Sequence, residues 1–390
     1  MSIPRLQLTP HGGMLYVEHL LRALLSNQGG DQYLIHTSGW RNLRAHYERA
    51  RTIISATGVK TKLTPLPDLF LHELFKNELL TSQMVFGQTD IVHAIGIRQL
   101  PLNTKNIIFT LQDASALTDA STAAACWGFE LKTIASLAKR ADLITTISEF
   151  SAREIVNLID VPRDKIVVIP NGVEHDIFRL PQATDRTAAM SILSRLGLIE
   201  KNYLCFAGGQ APRKNLPRLL QAFDLAKTKY NFADKLVVAG AVKLSPQVEA
   251  TWNKLKHRDD VIFPGYLEKT DLVRLLQASK ALAFPSTYEG FGLPPLEAMA
   301  CGVPVVCSNA ASLPEVVGDA AVFFDPLDIE MMAEALATMT VDSNVREICV
   351  ARGLERAQLF SWQKCATRTV ELYHQLAARN DDKARSSLTV

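Results

Sequence analysis

Short apolar runs recur along this chain, and between most of them apolar residues return at helical spacing. Residues 33–37, 90–95, 107–111, 141–148 and 166–169 read as strands in the first half, and 203–207, 236–239, 261–263, 281–284, 303–307 and 321–324 in the second. Helical patterns cover 15–25, 127–138 and 216–229, with Leu20, Leu21, Leu24 and Leu25 on one face of the first. Apolar strands alternating with helices predict parallel sheets covered on both faces. Two such halves predict an α/β protein of two Rossmann-like, doubly wound parallel-sheet domains facing a central cleft. The weakest strand is the first: before Gly12 only 3–8 is available, and Pro4 interrupts it.

A polar, proline-containing loop over 179–186 sets the domain boundary near residue 180. The first domain is then 1–180 and the second 181–358, followed by a helix within 359–378. The polar stretch 379–390 reads as a disordered tail.

With 390 residues the chain has room for two ordinary domains and a large core. Charged residues make up 21% and the net charge is +2, so no global field points to nucleic acid. No run of 18 apolar residues occurs, and the start lacks the pattern of a signal peptide. The expectation is a cytoplasmic protein, or one held peripherally on the inner face of a membrane. Arg41, Arg44 and Arg51 share a narrow helical sector, and Leu71, Leu74, Phe75 and Leu79 repeat at helical spacing beside Lys76. These read either as a membrane-facing patch or, more commonly for such patterns, as ordinary amphipathic helices. The six cysteines show no Cys-x-x-Cys spacing and sit mostly in apolar surroundings, which suggests reduced core thiols and no zinc site. No metal-ligand cluster is legible.

The chemistry concentrates in three stretches. Residues 285–302 place a loop with Glu289, Gly290, Phe291 and Gly292 after an apolar strand, then a helix opened by Leu293, Pro294 and Pro295 and carrying Glu297, with Gly302 as its C-cap. Two carboxylates with bare amides between them suit a ligand rich in hydroxyls that also carries negative charge. The plainer alternative makes Glu297 a helix-dipole partner and Glu289 a solvated loop residue. Residues 208–215, Gly208-Gly209-Gln210-Ala211-Pro212-Arg213-Lys214-Asn215, put two cations just before a helix that Asn215 is placed to cap. Cations there oppose the helix dipole unless an anion is present, so a phosphate group is the expected occupant. The third stretch is Gly12-Gly13 ahead of the first helix, where exposed amides suit a phosphate or a sugar.

The string from Glu289 to Glu297 resembles the Glu-x7-Glu signature of the retaining glycosyltransferases of family 4, the group 1 enzymes of GT-B fold. Pro170-Asn171-Gly172-Val173 is similar to the family's crossover into its second domain, and Arg213-Lys214 to its phosphate-gripping pair. The resemblance spans most of the chain from Gly12 to Leu376. It implies a metal-independent hexosyltransferase using a nucleotide-diphosphate sugar as donor and a glycan or lipid-linked acceptor. GDP-mannose is the first expectation for the donor and UDP-glucose the second.

The resemblance further implies that Glu297 holds ribose hydroxyls, and that Glu289 with Gly290, Phe291, Gly292 and Leu293 holds the donor sugar. Gly209, Arg213 and Lys214 take the phosphates. Gly265, Tyr266 and Leu267 face the base, Gly12 and Gly13 lie near donor phosphate and acceptor, and the last helix crosses back to the first domain. Where many relatives carry a His-Asp pair this chain has Gln112-Asp113; glutamine donates a hydrogen bond to a hydroxyl but carries no cation. His93, alone in a strand, reads as a satisfied core residue. The competing classes are a non-catalytic glycan- or nucleotide-binding protein, a GT-B epimerase, and a two-domain dehydrogenase; no Gly-x-Gly-x-x-Gly follows any strand to support the last.

Overall fold

The computed structural model describes residues 2–3, 12–26, 30–38, 60–64, 74, 79, 83–84, 87–95, 106–114, 131–240 and 243–387. The basic stretch with Arg41, Arg44 and Arg51, most of 71–79, and Cys126 lie outside them. The chain forms two compact units: Met1–Gly172 with Trp362–Val390, and Val173–Ser361. The changeovers thus fall at the Pro-Asn-Gly-Val turn and at Trp362, where the sequence suggested 180 and 358. The reason is local packing within the second unit. Val173 bridges Ser361, the His175 ring meets the Phe360 carbonyl at 3.0 Å, and Phe178 is buried.

The first unit is a seven-stranded parallel sheet in the order β3-β2-β1-β4-β5-β6-β7. Its strands are β1 Ser2–Ile3, β2 Leu34–Ser38, β3 Lys60–Thr64, β4 Val92–Ile95, β5 Ile107–Thr110, β6 Leu143–Thr146 and β7 Ile166–Val168. The first strand is two residues long, yet it lies centrally, pairing with β2 through Ser2 and Ile3 and with β4 through Ser2. β3 escaped the hydrophobic pattern because its sequence is Lys-Thr-Lys-Leu-Thr; such polar strands are characteristic of sheet edges, where β3 lies. Helices α1 Gly12–Ser26, α2 Leu131–Arg140 and α3 Glu149–Ile159 belong to this unit, and Ser148 caps the last by accepting from the Ser151 N–H.

The final helix, Trp362–Ser387, also belongs here and packs on α1. Trp362 lies against Tyr16 edge-on, centroids 6.0 Å apart, and stacks on His19 at 5.0 Å. Helix continues through 379–387, where the sequence suggested a disordered tail. A polar composition argues against burial, and helix formation does not require burial of every turn.

The second unit is a six-stranded parallel sheet, β10-β9-β8-β11-β12-β13. Its strands are β8 Tyr203–Ala207, β9 Lys235–Ala239, β10 Val261–Ile262, β11 Ala281–Phe284, β12 Val305–Ser308 and β13 Ala321–Phe324. β8, β11 and β12 are buried along their whole length, as continuous apolar runs require when helices cover both faces. Its core gathers Phe206, Leu219, Phe223, Val238 and Leu336. One helix, Ala183–Leu196, occupies what the sequence suggested was the end of a loop; its apolar moment is weak, with only Ala189, Ile192 and Leu193 buried. Cys205, Cys301, Cys307, Cys349 and Cys365 are free and buried, as expected of core thiols. Among the described residues no helix is long and apolar enough to cross a membrane.

Candidate functional site

The strand order of the second unit reverses direction between β8 and β11. Chain leaving β8 continues towards β9 on one side, and chain leaving β11 continues towards β12 on the other. In an open parallel sheet, such a switch point is where the loops part and a ligand crevice forms at the strands' carboxyl ends. Both cation-bearing and carboxylate-bearing loops start there, after Ala207 and after Phe284.

The two loops are tied together. The Thr287 N–H donates to the Arg213 carbonyl at 2.8 Å, and the Asn215 amide donates to the Pro285 and Pro326 carbonyls at 3.1 and 2.7 Å. Asn215 stands at the N-cap of helix Leu216–Tyr230, in the left-handed region with φ of 57°, but its side chain makes no capping bond. The expected cap is replaced by a loop staple. Beside it, Gly240 has φ of +101°, and a β-carbon there would lie 2.6 Å from the Gly208 carbonyl oxygen. Only glycine lets the turn after β9 approach the Gly208-Gly209 backbone this closely.

Glu289 is the centre of the arrangement. Its two carboxylate oxygens accept from Lys214 Nζ at 2.6 Å and from Arg213 Nη1 at 2.8 Å, and Arg213 also donates to the Tyr288 carbonyl at 3.2 Å. Glu289 is only 7% exposed, which rules out a solvated loop residue. Burial pushes its carboxyl up, but the charges of Lys214 and Arg213 outweigh burial and hold it below the usual carboxylate range. Lys214 additionally lies over the Phe284 ring, 4.9 Å from its centroid. The anion that two cations at a helix start require is therefore supplied, in the first instance, by the protein itself.

Gly292 separates this corner from Glu297. With φ of +110° it serves as N-cap of helix Leu293–Ala300, whose first turn takes Pro294 without loss because that N–H has no partner. Gly302, with φ of +68°, follows the C-cap Cys301. Ser312 braces the glycine loop by donating to the Glu289 and Phe291 carbonyls, both at 2.8 Å, and Phe291 meets Phe360 edge-on. Glu297 is half-buried, and among the described residues its side chain has no hydrogen-bond partner. Burial pushes its carboxyl up to about 7; Lys269 draws it down, Glu174 pushes it up and Lys214 draws it down again. Glu174 and Lys269 form an ion pair with each other, and Lys269 sits over the Phe178 ring. Sequence reasoning missed this pair, because nothing in spacing connects positions 174 and 269.

The remaining candidates are placed as follows. Gly209 follows β8, and Gly265, Tyr266 and Leu267 follow β10, with Gly265 at φ of +75° and Tyr266 69% exposed. Gly12 and Gly13 belong to the first unit, where they open α1 itself and so are the first residues of that helix, not a loop before it. Gln112 and Asp113 follow β5 in the same unit, half-buried, and the Gln112 carbonyl accepts from Thr146 Oγ1 at 2.9 Å. His93 is a core residue: its ring nitrogens meet Tyr373 Oη and Thr110 Oγ1, each at 2.6 Å, and burial pushes it down to about 3, so it stays neutral. Among the described residues no cluster of His, Cys, Asp and Glu could hold a metal ion.

Residues 195–356 match the family model described as glycosyl transferases group 1, and residues 11–177 match that of glycosyltransferase family 4. The chain belongs to the group 1, family 4 glycosyltransferases. The O-antigen chain mannosyltransferase B of Escherichia coli is 38% identical over 239 residues, which are 60% of this chain and 61% of that relative. An MMP alpha-(1->4)-mannosyltransferase of Mycolicibacterium hassiacum is 29% identical over 249 residues, 62% of this chain and 56% of that one. The match thus spans less than two thirds of the length of these relatives.

Two solved structures resemble this glycosyltransferase chain nearly end to end. Sucrose-phosphate synthase from Thermosynechococcus elongatus superposes with a TM-score of 0.70 at 22% identity, covering 95% of this chain and 94% of that one. Anabaena Alr3699/HepE in complex with UDP and glucose does so with 0.72 at 18% identity, covering 96% and 99%. At that identity the likeness establishes the fold, which is GT-B.

Proposed function

We propose that this chain transfers a hexose from a nucleotide-diphosphate sugar to a glycan or lipid-linked acceptor, with retention at the anomeric carbon and without a metal. The observation that carries this reading is the Arg213–Lys214–Glu289 corner at the switch point of the second unit's sheet, with the unpartnered Glu297 beyond Gly292. Breaking the bond from anomeric carbon to phosphate oxygen leaves negative charge on the nucleoside diphosphate. Arg213, Lys214 and the amides near Gly209 and Gly292–Leu293 stabilise that charge, the form of catalysis that usually contributes most. The acceptor oxygen forms the new bond to the anomeric carbon, and its proton passes to the departing phosphate. Glu297 accepts hydrogen bonds from ribose hydroxyls, and Glu289 from the sugar.

Mannose from GDP-mannose is the first choice of donor, supported by the mannosyltransferase names of the relatives; UDP-glucose is the second, supported by the UDP and glucose in the Anabaena structure. The reading also takes the enzyme to work in the cytoplasm, with peripheral contact to the inner membrane face if the acceptor is lipid-linked. Thermal-shift and saturation-transfer NMR measurements against GDP-mannose, UDP-glucose, UDP-N-acetylglucosamine and ADP-glucose test it. One donor should bind selectively, unaffected by EDTA, and binding should be lost in Glu297→Ala. A folded protein that binds none of the four contradicts the reading.

A further inference from the structure

We propose that Glu289 is a built-in counter-anion that the donor's diphosphate must displace from Arg213 and Lys214, and that returns to them once the sugar has left, driving out the nucleoside diphosphate. The proposal rests on the donor reading above and concerns how that site empties.

The geometry supplies the argument. Each cation is engaged by its own oxygen of one carboxylate, at 2.6 and 2.8 Å, in a corner where the Lys214 side chain is 13% exposed and that of Glu289 9%. Arg213 is more open, at 39%. Three charged groups sum to a single net positive charge, whereas a nucleoside diphosphate brings at least two negative ones. Adding it while Glu289 stays in place would crowd like charges at hydrogen-bond separation in a region water enters poorly, where such repulsion is strong.

The loop offers a way out. Glu289 sits two residues after Thr287, whose N–H is bonded to Arg213, and just before the Gly290–Gly292 backbone. Rotation of its side chain can therefore carry the carboxylate off the cations while the loop stays fixed by Ser312. With donor bound, the displaced carboxylate finds sugar hydroxyls to accept from. With product bound, no sugar hydroxyls remain, and the two cations it left are the charged groups that draw the carboxylate back. The helix start at Leu216 favours either anion, so it does not decide between them. Glu289 thus penalises the product more than the donor.

Isothermal titration of GDP, UDP and pyrophosphate, together with the donor identified above, tests this in wild type, Glu289→Gln and Glu289→Asp. Removing one opposing charge at this distance should tighten nucleoside-diphosphate binding by on the order of tenfold in Glu289→Gln. The nucleotide sugar should gain less or lose affinity, so the ratio of the two dissociation constants inverts relative to wild type. Product inhibition should strengthen in parallel. Glu289→Asp, which retracts the carboxylate by one methylene and keeps its charge, should show the same change in smaller degree, and decides the matter if the Gln variant fails to fold. Unchanged or weaker nucleoside-diphosphate binding in a folded variant overturns the inference. Failure of wild type to bind any of these ligands instead overturns the donor reading.

Discussion

Glu289 and Glu297 belong to one short stretch of chain, yet the fold gives them opposite surroundings. Glu289 is enclosed, has both oxygens engaged by cations, and is held ionised below its ordinary range. Glu297 is half-buried, has no side-chain hydrogen bond among the described residues, and is pushed up to about 7. The difference separates two tasks that a single signature leaves merged. An ionised, partnered carboxylate fixes charge and position. A carboxylate near its titration point with vacant lone pairs is free to take donors from a ligand.

The largest effect should come from breaking the enclosed side of this comparison. Lys214→Ala should slow transfer by roughly a hundredfold or more, the usual consequence of losing a group that stabilises developing charge. It should also destabilise the fold by about 3 kcal/mol, since removing one partner of a buried pair leaves charge uncompensated, with Arg213 sparing the larger losses. Arg213→Ala, at a more exposed side chain, should cost about 1 kcal/mol or less. Chemical denaturation of both variants measures the contrast; equal losses would remove the distinction between the buried and the open cation.

How much of this was visible in the sequence depends on what carried the signal. The second unit was almost fully legible, because β8 and β11 are uninterrupted apolar runs and burial on both faces leaves no other residue types at those positions. The first unit was read less well. Its edge strand is Lys-Thr-Lys-Leu-Thr and its central first strand is two residues long, so neither has the hydrophobic content that a pattern search needs. In the site, the residue types at Arg213, Lys214, Glu289 and Glu297 pointed to an anion and a polyol. Their mutual pairing did not follow, because the sequence separation of 75 between Lys214 and Glu289 is closed only by the adjacency of β8 and β11. A similarly long separation in sequence, 95, hid the Glu174–Lys269 pair beside Glu297.

A smaller effect comes from disturbing the residue that separates the two glutamates. Gly292 combines φ of +110° with a position where a β-carbon would stand 2.6 Å from Leu313 Cδ2. Gly292→Ala should therefore destabilise by about 1–3 kcal/mol through backbone strain. Leu313 is the end of a side chain and can yield, so the backbone cost dominates. Because the loop carries Glu289 and the helix carries Glu297, donor affinity should fall in the same variant while affinity for free nucleoside diphosphate falls less. Titration calorimetry distinguishes this from a uniform loss.

The finest test uses pH to move one glutamate and leave the other. Glu297 has its folded value raised above its ordinary 4.5, so protonated Glu297 favours the fold; that contribution is complete below 4.5 and is lost as pH rises through about 7. Glu289 is shifted the other way, and its contribution is present above its ordinary value and lost only as pH falls through the lowered one. Donor binding through Glu297 needs the ionised form as acceptor, so affinity should rise across neutral pH even as this group's share of stability falls. Lys269 and Glu174 set where that happens. Lys269→Gln removes the cation that draws Glu297 down and should move the midpoint of donor affinity to higher pH, whereas Glu174→Gln removes the opposing anion and should move it lower. Each also removes one member of the ion pair, so the remaining charge acts on Glu297 without that opposing neighbour, which enlarges the separation between the variants. Donor affinity measured from pH 5.5 to 8.5, a range of about 1.5 units on either side of neutrality, should place the two midpoints on opposite sides of wild type. Coincident midpoints would show that neither charge reaches Glu297, and that burial, opposed by Lys214, sets it apart from Glu289.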